Sequence, residues 1–119
     1  MKKEKLAWKF LDLENGKIVS NRDRSPWTIG KWRTVAAPTE ECKGLNCSLL
    51  VDDARSYVKG EVAALVEYGG KVIDSGDKLT CEKMRIKKAW RFTATAWARY
   101  EAEKAQAWKK ILRTLERIK

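Results

Sequence analysis

Hydrophobic residues follow a period of two along most of the chain and a helical period along its last part. A period of two predicts strands, in which every second side chain faces the same side of a sheet. The predicted strands are residues 5–13, 17–19, 27–35, 61–68, 71–73 and 78–92. Asn15-Gly16, Gly69-Gly70 and residues 74–77 lie between them and are predicted as turns.

Two stretches have the spacing of helices. Residues 48–58 carry apolar side chains three and four positions apart, with Asp52 and Asp53 near the start, and this predicts a short helix. From Thr93 to the end, apolar residues recur at a period of about 3.6 without an intervening glycine or proline. A single amphipathic helix of about 25 residues is predicted there, with Thr93 as its N-cap.

These elements predict an α+β fold. The sheet is expected to be mixed or antiparallel, with about five short strands, one short helix and one long carboxy-terminal helix. A length of 119 residues fits a single domain. Residues 1–92 are expected to form its sheet-rich core, and residues 93–119 its long helix.

Composition excludes several kinds of function. The chain has no histidine, which removes Ser-His-Asp and Cys-His sites, a histidine general base and the commonest zinc ligand. No uncharged run is long enough to span a membrane, and the first residues lack the apolar core of a secretion signal. We therefore expect a cytoplasmic protein with no membrane partner. The scarcity of Asn and Gln beside many Lys, Arg and Glu residues is typical of a thermophilic source.

The three cysteines raise the question of a metal site. Cys42, Cys47 and Cys81 supply three sulfur ligands, whereas a structural zinc site uses four N or S ligands and this chain has no imidazole. We therefore expect no metal and no other cofactor, and we expect the thiols to be buried and unpaired. A disulfide between Cys42 and Cys47 remains an alternative in an oxidising or hyperthermophilic cell.

Positive charge is concentrated in the last third of the chain. The whole protein has a net charge of +10, and residues 81–119 carry twelve basic and four acidic side chains. Such an excess attracts polyanions, so the expected partner is nucleic acid or an acidic protein. Lys109, Arg113 and Arg117 recur every four residues and are expected to form a stripe on the helix. The candidate polyanion-binding residues are Lys87, Lys88, Arg91, Lys104, Lys109, Lys110, Arg113 and Arg117.

Other interpretations of this segment remain open. A long amphipathic helix exposes a charged face to water whether or not it binds a partner. Its tryptophans lie on the apolar stripe, and most of the six tryptophans are expected in the core. The apolar residues from Trp108 onward exceed what a short sheet covers, so a homodimer formed through residues 93–119 is an alternative. A period nearer 3.6 than 3.5 favours packing on the same domain instead.

The segment CKGLNCSLLVDDARSYV and the strands after it resemble a small domain of unknown function from phages, prophages and archaea. The resemblance covers residues 8–90. The matching positions are Gly30-Lys31-Trp32, Cys42 to Asn46, Ala54, Tyr57, Asp77-Lys78 and Met84-Arg85-Ile86. Asn46 stands where that family usually has histidine, which implies that any chemistry of the imidazole is absent or altered here. The resemblance implies a phage-related protein but no particular activity.

The segment GLNCS, the helix after it and Glu82 resemble the second half of the ADP-ribosyltransferase fold. The resemblance implies Glu82 as the catalytic acid and Lys9 as the basic residue of the first strand. Asn46 replaces the aromatic residue that stacks on nicotinamide, and no histidine is present. A degenerate domain that binds NAD or another nucleotide without transferring it is therefore implied. Glu82, Asn46 and Lys9 would then meet in one cleft.

The leading hypothesis is a non-enzymatic module that binds a polyanion or an acidic protein through its carboxy-terminal cations. The hypothesis requires that neighbouring carboxylates do not neutralise these cations. It also requires that the cations do not lie scattered over the surface of a protein that has a deep acidic cavity elsewhere.

Overall fold

The structure, a computed structural model, describes residues 4–41 and 43–119, which form seven strands and three α-helices. The elements are β1 (Leu6–Glu14), β2 (Lys17–Val19), β3 (Arg33–Thr34), β4 (Leu45–Cys47), α1 (Val51–Tyr57), β5 (Val62–Asp74), β6 (Leu79–Arg91), α2 (Ala94–Glu103), a 3-10 turn (Lys104–Ala107), α3 (Trp108–Thr114) and β7 (Arg117–Ile118). The α+β class is confirmed, with a mostly antiparallel sheet of more strands than predicted. None of the helices in the described ranges is long and apolar enough to cross a membrane.

The strands form one sheet that closes into a ring. β6 is the central strand, because β5 pairs along its whole length and β4, β3 and β7 pair with successive parts of it. β5 also pairs with β1, and β1 with β2. Trp8 and Ser48 exchange backbone hydrogen bonds of 2.7 and 2.9 Å, which join β1 to the end of β4. Strands β1, β5, β6 and β4 therefore follow one another around a closed circuit.

The ring separates two hydrophobic cores. The inner core fills the ring and includes Leu11, Val66 and Met84, none of them more than 1% exposed. The helix-side core lies between the outer face of the sheet and the helices, and aromatic residues such as Phe10 and Trp108 dominate it. β1 contributes to both cores, Leu11 to the inner one and Phe10 to the helix-side one, so it is buried on both sides. Lys9 is the one cation among the inward-facing positions of β1.

The prediction of one helix from Thr93 to the end of the chain is wrong. Thr93 does cap a helix, and its side chain accepts a hydrogen bond from the backbone N–H of Ala96. The helix stops at Glu103, because Lys104 has a φ of 56° and begins the 3-10 turn. A straight helix of 25 residues would be about 38 Å long, as long as the longest dimension of the described molecule, 38 Å.

The break in the helix allows its aromatic residues to meet. Trp97 on α2 and Trp108 on α3 both contact Phe92, with ring centres 4.4 and 5.2 Å away. The chain after α3 then forms β7, which pairs with β6 and places Ile118 against the inner core. Neither contact is compatible with one continuous helix, and the sequence contains no glycine or proline to announce the break.

The apolar stripe that suggested a homodimer is mostly covered by the domain itself. Trp108 and Ile111 are buried, and Leu112 and Leu115 pack at the edge of the helix-side core. The prediction that most tryptophans lie in the core is confirmed, since only Trp32 is exposed. Packing on the same domain therefore accounts for the stripe.

Two other predictions about strands need correction. The predicted turn at Gly69-Gly70 is wrong, because β5 continues to Asp74 and its register shifts between Gly69 and Val72. Gly70 has a φ of 71°, and a Cβ there would lie 2.7 Å from the carboxylate of Glu82, so glycine permits a β-bulge. The strand predicted at residues 27–35 shortens to β3.

Candidate anion-binding sites

Most of the candidate cations are not neutralised by acids. Among the described residues, six of the eight have no carboxylate oxygen within 4.0 Å. These six are Lys88, Arg91, Lys109, Lys110, Arg113 and Arg117. Lys104 instead pairs with Glu101 at 3.1 Å. Lys87 lies 3.5 Å from Glu4 and 4.0 Å from Glu67.

Five of these cations occupy the same side of the molecule. Lys109, Lys110 and Arg113 are exposed on α3, whose opposite side carries the buried Trp108 and Ile111. Arg117 is paired with Trp90, and Lys88 lies two residues before Trp90, so both project from the sheet face that the helices cover. We call these five residues the cationic face: Lys88, Lys109, Lys110, Arg113 and Arg117.

The prediction that residues 109, 113 and 117 form a stripe on one helix is wrong. Arg117 belongs to β7 rather than to α3. It joins the cationic face because β7 pairs with β6, which also carries Lys88. Arg91 alternates with Trp90 and lies on the opposite side of the sheet.

A second group of cations lines a cleft that the sequence analysis did not predict as a whole. The cleft has a volume of about 410 Å³ and lies where β1 and β4 separate beyond their bridge at Trp8 and Ser48. Its charged lining consists of Lys9, Arg22, Asp23, Arg33 and Lys78. Four of these five side chains are cations, so the cleft is basic.

A hydrogen-bond network holds Arg33 against the wall of the cleft. Its guanidinium lies 3.9 Å from the centre of the Trp27 ring and donates to Ser25 Oγ at 2.9 Å and to the Pro26 carbonyl. Trp27 is itself held by its indole N–H, which donates to Ser20 Oγ at 2.7 Å. Because every acceptor of Arg33 is neutral, its positive charge is not compensated by these contacts.

Lys9 reaches into the cleft from the inner side of β1. Its ammonium donates to the Asn46 carbonyl at 2.7 Å and lies 6.0 Å from the centre of the Trp27 ring. Burial lowers the pKa of Lys9 to about 8, because desolvation penalises the charged form. The positive charge of Arg33 lowers this pKa further.

Lys9 should therefore destabilise the fold at neutral pH. The pKa of Lys9 is about 8 in the folded protein, against the ordinary value of 10.5 for a lysine in the unfolded chain. Between these two pH values the unfolded chain binds more protons than the folded protein, so the free energy of unfolding rises with pH. We expect Lys9→Met to raise the free energy of unfolding by about 1–2 kcal/mol at pH 7, after the lost hydrogen bond to Asn46 is subtracted. The gain should disappear near pH 10.5.

Urea unfolding of both proteins at several pH values would measure this difference. The groups that act on Lys9 are Arg33, Asp23, Cys47 and Cys81, and they are common to both proteins. Lys17→Met, at an exposed position of β2, is the control and should change stability little at any pH. A Lys9→Met protein that is less stable than the wild type at pH 7 would contradict the expectation.

Two thiols lie beside Lys9 in the inner core. The sulfur atoms of Cys47 and Cys81 are 4.0 Å apart, and both residues are buried, as predicted. A hydrogen bond from Cys47 lowers the pKa of Cys81, and the charge of Lys9 lowers it further. Within the described residues, no group of three Cys, Asp or Glu side chains is arranged to hold a metal ion. Cys42 and its alternative disulfide lie outside the described residues.

The structure brings together two of the three residues implied by the ADP-ribosyltransferase resemblance. Lys9 and Asn46 are hydrogen-bonded in the cleft. Glu82 lies elsewhere, at the β-bulge of β5, where its carboxylate accepts a hydrogen bond from the backbone N–H of Lys71 at 2.9 Å. The cleft therefore has no carboxylate at the position that this resemblance assigned to the catalytic acid.

Comparison with family models, with curated proteins and with solved structures finds no match for this chain. The interpretation of its sites therefore rests on their geometry and charge.

The assembly of the cleft from distant parts of the chain was not predicted. Lys9 alternates with Ala7, Leu11 and Leu13, which are all apolar. A lysine between Ala7 and Leu11 on one face of the predicted strand 5–13 was the available signal. Nothing in the sequence indicated that residues 20–33 would fold over this face and add Arg33.

Proposed function

We propose that this protein is a non-enzymatic module that binds nucleic acid through the cationic face. The observation that carries the proposal is that the five cations of this face project from one side of the molecule, with no carboxylate within 4.0 Å among the described residues. A duplex or single strand presents a row of phosphates, and each phosphate bound releases condensed counterions.

The arrangement supports contacts with the phosphate backbone rather than with bases. Lys109, Lys110 and Arg113 lie on the exposed side of a short helix, and Lys88 and Arg117 lie on neighbouring strands. Such a shallow surface places charges near phosphates without inserting an element into a groove. Trp90 is half-buried, is paired with Arg117 across β6 and β7, and lies 6.0 Å from Trp8. Binding independent of base sequence is the expected result.

The proposal is tested by measuring affinity for a short DNA duplex and for single-stranded DNA across a salt series. With all five cations on phosphates, the logarithm of the duplex binding constant should fall with the logarithm of salt concentration with a slope of about −4 to −5. Replacing Lys109, Lys110 and Arg113 with Gln should make the slope shallower by about 2–3 and weaken binding at low salt at least tenfold.

A matched control separates the cationic face from net charge. Lys17, Lys31 and Lys71 are exposed lysines outside this face, and changing all three to Gln removes the same charge. This control should keep nearly the wild-type slope. Equal weakening by both triple variants, or no binding to either DNA at low salt, would overturn the proposal. Polyglutamate binding without DNA binding would point to an acidic protein partner instead.

A further inference from the structure

We propose that the cleft between β1 and β4 binds a small phosphate monoester, whose phosphate group lies between Lys9 and Arg33. This site is separate from the cationic face, because none of the five cations of that face lines the cleft. Nothing in the proposed nucleic-acid binding requires the cleft, so each proposal can fail without the other.

Two cations inside the cleft have no carboxylate of the described residues in contact with them. The Lys9 ammonium and the Arg33 guanidinium lie within 6.0 Å of the centre of the same Trp27 ring. Neither has a carboxylate within 4.0 Å among the described residues, and the one acid that lines the cleft, Asp23, is exposed and accepts hydrogen bonds from Ser25. The charge of Asp23 raises the pKa of both cations, but less than desolvation lowers it. Two partly buried cations that repel each other are unfavourable without a counter-charge. An anion placed between them would remove this cost.

Hydrogen-bond donors also remain available there. Lys9 uses one of its three ammonium protons on the Asn46 carbonyl. Arg33 uses Nη1 and Nη2 for its contacts with Ser25, Ser20 and Pro26, which leaves Nε and one Nη2 proton. The side-chain oxygen of Asn46 accepts from Thr80, so its amide N–H groups stay available. Lys9, Arg33 and Asn46 therefore each keep hydrogen-bond donors that an anion in the cleft could use.

The charge and volume of the cleft indicate the class of anion. The cleft is lined by one acid, Asp23, and by four cations, Lys9, Arg22, Arg33 and Lys78. A second acid, Glu41, pairs with Lys78 at 3.4 Å. The remaining charge favours a dianion over a monoanion, and a phosphate monoester is a dianion at neutral pH. A volume of about 410 Å³ exceeds a phosphate group and lies within the range of small-molecule sites. The exposed ring of Tyr57 lines the same space, which suits an unsaturated organic group on the ester.

The test uses phenyl phosphate, phenyl sulfate, benzoate and inorganic phosphate as probes, with isothermal titration calorimetry of the intact protein. Phenyl phosphate should bind at least about tenfold more tightly than phenyl sulfate, its monoanionic counterpart, or benzoate. Inorganic phosphate should bind more weakly than phenyl phosphate but at the same site. Lys9→Met should weaken phenyl phosphate at least tenfold, and binding should fall as pH rises above about 8, where Lys9 loses its proton.

Two controls keep this result interpretable. Lys109→Met removes one cation of the cationic face and should leave phenyl phosphate binding unchanged. Arg33→Lys keeps the charge but loses the guanidinium contacts with Ser25 and Pro26, and it should weaken binding less than Lys9→Met does. Circular dichroism and the unfolding midpoint show whether each variant is folded. The proposal would be overturned if phenyl phosphate at about 10 mM did not bind the folded wild type. It would also be overturned if phenyl phosphate bound Lys9→Met as tightly as the wild type.

Discussion

Trp108→Ala is expected to reduce the free energy of unfolding by about 3–5 kcal/mol, the usual cost of removing a large buried aromatic side chain. Trp108 is 6% exposed, and its ring centre lies 5.1 Å from Trp8 and 5.2 Å from Phe92. It is the residue through which α3 contacts both β1 and the end of β6. Since domains of this size have a total stability of about 5–15 kcal/mol, the variant should lose a large share of its stability.

The measurement is urea unfolding followed by circular dichroism, with two comparison variants. Trp108→Phe keeps a ring in the cluster and removes an indole N–H that has no hydrogen-bond partner among the described residues, so it should cost at most about 2 kcal/mol. Trp32→Ala removes a tryptophan that is 37% exposed and should cost less than about 1 kcal/mol. The importance assigned to the helix-side core would be wrong if Trp108→Ala cost no more than Trp32→Ala.

Gly60→Ala is expected to cost about 3 kcal/mol because the added methyl group has no space. Gly60 is buried where the chain passes from α1 to β5. A Cβ at this position would overlap the carbonyl oxygen of Leu11 and lie 2.7 Å from its carbon. Leu11 is paired with Val62, so the overlap can be relieved only by separating β1 from β5. Over-packing of this kind is at the upper end of the usual range of 1–3 kcal/mol.

Gly16→Ala is the matched comparison for this effect. Gly16 has a φ of 79° and nothing within 4 Å of an added Cβ, so the substitution should cost only backbone strain of about 1–2 kcal/mol. Both substitutions restrict the unfolded chain equally, so a larger loss for Gly60→Ala than for Gly16→Ala is the amount by which the steric overlap exceeds the backbone strain at Gly16. A Gly60→Ala protein as stable as Gly16→Ala would show that β1 and β5 separate at little cost.

The local pattern of the sequence was sufficient to predict the main strands. The alternation in residues 5–13 and the Asn15-Gly16 pair correspond to the β1–β2 hairpin, in which Asn15 and Gly16 have φ angles of 52° and 79°. The long alternating run at residues 78–92 corresponds to β6. These predictions succeed because side-chain alternation and turn chemistry are properties of neighbouring residues.

Features that depend on distant residues were not predictable in the same way. The break at Lys104 accompanies the packing of Trp97 and Trp108 around Phe92 and involves no glycine or proline. Gly69-Gly70 has the composition of a turn, yet pairing with β6 extends β5 through it. In both cases tertiary packing overrides a local preference.

The two proposed anion-binding sites illustrate the same limit. The charge count of the last segment was enough to predict a basic surface, although Arg117 joins it from a strand rather than from the helix. The cleft required residues from three separated parts of the chain, Lys9, Arg33 and Asn46, and only their folded positions bring them together.

The pairing of β1 with β5 has a consequence for how the chain reaches its native state. Leu6 is paired with Glu67 and Leu11 with Val62, so about half of the chain must be synthesised before β1 meets its partner. The β1–β2 and β5–β6 hairpins can form early, because their strands are adjacent in sequence, whereas closing the circuit carries the entropy cost of a large loop. Until then both apolar sides of β1 face water. A newly made chain is therefore most exposed to misassociation between the emergence of its first strand and its fifth.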